Sequence, residues 1–176
     1  MKMPVEIQRM KDPDGAHRFK AVISLKDMPT NLSINDKLIS LQKRYATFVE
    51  ECRKKLNSLT QSKKNRGDPI LKWDLANHIY NFLKNLEKEG FVLANLTEAL
   101  SRDLGISRRQ INYLIEFRET YPKLNLIRKE ISWDKYKELL DIPDRDKRRL
   151  CEKEIIEGRL RTREDIRRFK KKLKTK

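Results

Sequence analysis

The run Leu96-Thr97-Glu98-Ala99-Leu100-Ser101-Arg102-Asp103-Leu104-Gly105-Ile106-Ser107-Arg108-Arg109-Gln110-Ile111-Asn112-Tyr113-Leu114 leaves the chain few ways to fold. Leu100, Leu104, Ile106, Ile111 and Leu114 fall where two short helices meeting at an angle need apolar filling. Ser101 is small enough for a close crossing, and Gly105 supplies the turn. Ser107 and Gln110 form an S-x-x-Q capping pattern, in which each side chain satisfies a backbone N–H near the other, so the second helix starts at Ser107. The pattern predicts a helix-turn-helix over about Thr97 to Thr120.

In that register Arg108, Arg109, Asn112, Tyr113 and Glu116 lie away from the apolar set Ile111, Leu114 and Ile115. Arginine reads guanine and asparagine reads adenine through paired hydrogen bonds in a major groove. Ser107, Arg108, Arg109, Asn112 and Tyr113 are therefore the expected DNA-contacting residues of the motif. The plainer alternative is a helical hairpin whose arginines are only solvated.

The rest of the chain divides by pattern. Residues 1–30 read as a short N-terminal β-hairpin around Asp12-Pro13-Asp14-Gly15, with Phe19, Ala21, Ile23 and Leu25 alternating onto one face. Residues 31–62 read as a long amphipathic helix, because Ile34, Leu38, Leu41, Tyr45, Phe48, Cys52, Leu56 and Leu59 step by four and three. That near-heptad allows packing within the chain or a homodimer seam through residues 33–59. Residues 63–69 break the pattern and read as a linker. Residues 70–176 read as the helix-turn-helix domain with a basic C-terminal helix. Its first helix carries Trp73, Ile79 and Leu86 and stops at Gly90. His78 on that helix has no partner at metal-ligand spacing and reads as a surface or capping residue.

Charge bears on the partner. The chain has 42 Lys and Arg against 26 Asp and Glu, a formal charge of +16. The excess is +7 over residues 1–65, zero over 66–120 and +9 over 121–176. A polyanion is the expected partner, held by the two ends, while the neutral middle works through specific side chains. In the last helix Arg163, Arg167, Arg168 and Lys171 are the expected phosphate contacts. Cys52 and Cys151 lack a CxxC or histidine pair and read as small buried residues, so neither a metal nor a disulfide framework is expected. No apolar run reaches the length of a membrane span, and the first 25 residues lack a signal-peptide core, so the expected location is the cytoplasm, with no membrane contact.

Further pieces occur in order: Trp73 to Ile79, Leu100-Ser101-Arg102-Asp103-Leu104, Ile106-Ser107-Arg108-Arg109-Gln110, Phe117 to Pro122, and Ile131-Ser132-Trp133-Asp134-Lys135-Tyr136 with Leu139-Leu140. Together, over about residues 70–170, they resemble the N-terminal helical domain of YhcG-type proteins, a DNA-binding region normally joined to a PD-(D/E)XK nuclease domain. Ile131 to Phe169 more faintly resembles the helices behind the helix-turn-helix of ParB-type partition proteins, without their phosphate-binding catalytic box. The first resemblance implies DNA binding. It does not imply cleavage here, because Pro143-Asp144 lacks the strand-borne acidic-x-Lys context and reads as a helix start. A helix around Trp133 to Leu140, one around Asp144 to Glu157 closed by Gly158, and a third capped at Thr162-x-x-Asp165 complete the domain.

The sequence thus predicts a mainly α fold with a short N-terminal β-hairpin and a multi-helix helix-turn-helix domain. The expected function is non-enzymatic binding of double-stranded DNA, as a regulator or targeting subunit, with no catalytic residue and no cofactor. A protein-interaction module and an RNA-binding protein are the alternatives. RNA is disfavoured because no platform of sheet-borne aromatics is visible.

Overall fold

The computed structural model describes residues 5–6, 21–23, 34–89, 91–93 and 96–174. Helices dominate: α1 (Ile34–Thr60), α2 (Lys63–Gly67), α3 (Pro69–Lys88), α4 (Leu96–Leu104), α5 (Arg108–Thr120), α6 (Trp133–Leu140), α7 (Arg145–Ile156) and α8 (Arg163–Lys174). Short strands β1 (Val5–Glu6), β2 (Ala21–Ile23) and β3 (Phe91–Leu93) pair antiparallel in that order, with Val5 opposite Ile23 and Val22 opposite Val92. Most of residues 1–30, including the turn expected at Asp12 to Gly15, lies outside the described residues, as does Gly90. The third strand was not foreseen; Phe91-Val92-Leu93 is too short for its alternation to show.

Local chemistry explains the helix ends. Asp68 accepts from the Ile70 N–H at 2.8 Å and Pro69 opens α3, where its missing N–H costs nothing. The break expected at 63–69 does interrupt the long helices. It is filled by one helical turn, α2, whose Asn65 N–H is accepted by Ser62 Oγ at 3.0 Å. Asp144 caps α7 by accepting from the N–H groups of Asp146 and Lys147. Gly158, at φ 76°, closes that helix in the left-handed conformation. Thr162 and Asp165 cap α8 reciprocally, at 3.1 and 2.8 Å.

The chain divides into two compact units, Met1–Lys54 with His78–Asn112, and Lys55–Asn77 with Tyr113–Lys176. This division does not follow the chain-order segments read from the sequence. Its boundaries fall inside α1, α3 and α5, because a long helix is assigned by what each turn packs against and not by where its sequence begins. In the first unit Leu41, Tyr45, Phe48, Val49 and Cys52 of α1 are buried with Ile79, Leu86, Leu100 and Ile111. Phe48 stacks on Phe82 with centroids 3.9 Å apart. In the second unit Phe117 is ringed by Tyr121, Trp133 and Tyr136, each about 5 Å away. The near-heptad face of α1, from Leu41 to Leu59, is thus covered within the chain wherever its residues are buried. Cys52 and Cys151 are buried free thiols, and burial pushes Cys151 up to about 12.

Candidate nucleic-acid interface

Helices α4 and α5 are joined by Gly105, Ile106 and Ser107. Gly105 adopts φ 65°, which an L side chain rarely tolerates. Ser101 Oγ donates to the Ile106 carbonyl at 2.7 Å, tying the turn back to α4. The Ser107 N–H donates to Gln110 Oε1 at 3.0 Å and the Gln110 N–H to Ser107 Oγ at 3.2 Å. These are the two halves of the capping box, and they fix where α5 begins.

α1 holds the far end of α4. Arg53 forks onto the Asp103 carbonyl at 3.0 and 2.7 Å, satisfying an acceptor that the helix end leaves open and placing a cation at the negative end of its dipole. Tyr45 Oη donates to the Asp103 carboxylate at 2.6 Å. Burial first, then that hydrogen bond, pushes the Tyr45 phenol well above its ordinary value, so it stays a donor at any ordinary pH.

With α5 anchored by buried Ile111, Leu114 and Phe117, the residues Ser107, Arg108, Arg109 and Asn112 are exposed and Tyr113 is half-buried. Three exposed polar side chains capable of paired hydrogen bonds, Arg108, Arg109 and Asn112, thus stand on the first turns of one helix.

The basic residues of α8 have a different setting. Glu138, on α6, is 5% exposed yet carries a full charge. Its Oε1 accepts from Arg163 at 3.0 and 2.7 Å and from Arg167 at 3.2 and 2.9 Å. Its Oε2 accepts from Lys170 at 3.1 Å, and Lys170 also reaches Asp141 at 2.8 Å. Burial raises the Glu138 carboxyl, but the bonds from Arg167, Arg163 and Lys170 together outweigh it and hold the group at about 2. Arg163 and Arg167, expected as phosphate contacts, therefore also clamp α8 to α6, while remaining about half exposed. Arg168 pairs with Glu164 at 3.5 Å on the open side, and Lys171 is exposed.

Sequence reasoning missed Glu138. The signal was present in the spacing of Arg163, Arg167 and Lys170, which step by four and three along one helix face around the buried Ile166. Cations on a core-facing edge need a carboxylate.

Among the described residues no group of histidine, cysteine and acidic side chains could hold a metal ion, and no helix is long and apolar enough to cross a membrane. No protein-family model, curated protein or solved structure matches this chain.

Proposed function

We propose that the chain is a non-enzymatic, cytoplasmic DNA-binding protein in which α4 and α5 act as a helix-turn-helix. α5 reads base edges through Arg108, Arg109 and Asn112, with Ser107 and Tyr113 beside them, and the basic C-terminal region holds phosphates. The observation that carries this reading is the turn at Gly105 with the Ser107–Gln110 box, which leaves those three side chains exposed at the start of a helix. The reading agrees with what the resemblance to the YhcG-type N-terminal domain implies. It needs no dimer, and Leu41, Tyr45, Phe48, Cys52 and Leu59 of the α1 stripe are buried in the single chain. For phosphates, Arg168 and Lys171 act alongside Arg163 and Arg167, whose exposed halves still face solvent.

The test is a selection from random duplexes with wild type and with Arg108→Ala/Arg109→Ala. Base-edge contacts discriminate and phosphate contacts do not, so the double change lowers preferred-site affinity by roughly 5- to 150-fold per lost bidentate pair and non-specific affinity much less. Recovery of the same motif by both proteins removes base reading from α5. Preference for structured RNA over duplex replaces DNA as the partner. No binding to any nucleic acid at low salt leaves a protein-interaction module as the reading.

A further inference from the structure

The second unit contains a cavity of about 440 Å³ that takes only Thr120, the last residue of α5, from the helix-turn-helix. Arg145, Arg148 and Arg149 reach it from α7, and Arg128 from the loop before α6. Its apolar lining comes from Tyr121, Leu126 and Ile156. Lys153, Glu152 and Glu157 complete the charged lining, so cations outnumber carboxylates five to two.

The arginines differ from those of α8 in what they do for the fold. Arg163 and Arg167 share a buried carboxylate, whereas Arg128, Arg145 and Arg149 are exposed and form no close ion pair among the described residues, the half-buried Glu152 being the one carboxylate whose charge Arg128, Arg148 and Arg149 together feel. Arg148 is pre-positioned: its Nη1 donates to the Ile142 carbonyl at 2.8 Å and its guanidinium lies 5.6 Å from the centroid of the Tyr121 ring. Tyr121 is itself fixed by donating to Glu152 at 2.6 Å. Arg128 is placed by its backbone, whose N–H donates to Tyr136 Oη at 2.7 Å. Clustered guanidinium groups repel one another and stay together at a cavity most cheaply when an anion joins them, and their planar forks match phosphate oxygens. The volume lies in the range of small-ligand pockets and exceeds what a bare phosphate fills.

We propose that this cavity binds a phosphate ester, with the phosphate on the arginines and its organic group against Leu126, Ile156 and the small exposed part of Tyr121. Two sources share that chemistry, a free nucleotide and a nucleotide unit of a polynucleotide strand. The site does not rest on the reading of α5.

The full chain is titrated calorimetrically with AMP, adenosine and inorganic phosphate, and by fluorescence anisotropy with single-stranded and duplex oligonucleotides. The same is done for Arg145→Ala/Arg149→Ala, whose exposed side chains leave the fold intact by circular dichroism, and for Arg108→Ala/Arg109→Ala. The expected result is AMP binding at least about tenfold tighter than adenosine or phosphate, and weakened at least about tenfold by Arg145→Ala/Arg149→Ala, since charge-assisted hydrogen bonds are lost. Arg108→Ala/Arg109→Ala leaves it unchanged. If AMP fails to bind but the α7 variant loses at least about tenfold in oligonucleotide affinity, the ligand is the polymer's nucleotide unit. Adenosine binding as tightly as AMP, or no effect of the α7 variant on any ligand, overturns the site. AMP binding without any DNA binding leaves the site standing and removes the proposed function instead.

Discussion

Replacing Glu138 by glutamine takes away the charge that Arg163, Arg167 and Lys170 share. Breaking a fully buried ion pair from one side costs about 3 kcal/mol or more; with Arg163 and Arg167 half exposed the loss here is about 2 kcal/mol, which lowers Tm by roughly 4–8 °C in a chain of this size. The acid limb gives an independent readout. The folded Glu138 carboxyl sits at about 2 against an ordinary value near 4.5, so its stabilisation is fully present above about 4.5 and is lost as pH falls towards 2. The full difference corresponds to about 3 kcal/mol at 1.36 kcal/mol per pKa unit; because two of the three partners are half exposed, about 2 kcal/mol is the figure to expect. Urea midpoints measured at pH 5 and pH 3 should therefore fall less in Glu138→Gln than in wild type, and an equal fall would remove the charge from that site. At Gly105 a Cβ meets nothing within 4 Å, so the cost of Gly105→Ala is the left-handed backbone alone, about 1–2 kcal/mol. Gly105→Asn should recover part of that loss in thermal melts; equal losses for both would mean that something other than φ matters there.

Elements bury what their spacing offers, and α1 shows what that settles. Leu41 and Phe48 are 2% and 3% exposed in the single chain. Leu41→Glu with Phe48→Glu places two carboxylates in an apolar interior without partners, a cost beyond the stability of most domains of this size. The expected outcome is loss of helical circular dichroism or aggregation. A folded monomer derived from a dimeric wild type, seen by light scattering, would move the stripe to an interface between copies. α8 behaves differently because its inner edge is ionic as well as apolar, with Ile166 fully buried beside Arg163, Arg167 and Lys170. Cutting the chain after Gly158 would strip Glu138 of its partners, so phosphate binding is better probed with point changes.

At the scale of the whole molecule, the +16 charge bears on how the proposed DNA binding would respond to salt. Each phosphate neutralised on duplex DNA contributes about 0.9 to the slope of log affinity against log salt. Arg168→Gln with Lys171→Gln should make that slope shallower by about 1–2 while the preferred sequence stays the same, because these side chains lie off the Glu138 clamp. Arg108→Ala with Arg109→Ala should do the reverse, erasing preference with a smaller change of slope. If both variants alter slope and preference alike, the separation between base reading and backbone holding fails.

Much of this was legible residue by residue. The helical content, the left-handed Gly105, the Ser107–Gln110 box and the cap at Thr162 and Asp165 follow from local interactions, and the exposure of Arg108, Arg109 and Asn112 follows from the apolar period that assigns α5 its buried face; both are written in the sequence. The sequence left open whether the α1 stripe faces its own chain or a second copy, because periodicity states that a face is apolar and not what covers it. It could not tell which cations of the basic last helix hold the fold and which face only solvent, since all of them read as one basic run. That distinction depends on Glu138, 25 residues from Arg163, just as the placing of Arg148 depends on Tyr121, which Glu152 fixes across 31 residues. Only tertiary packing brings such partners together, and the free energy of a charge is decided by its partners and its burial.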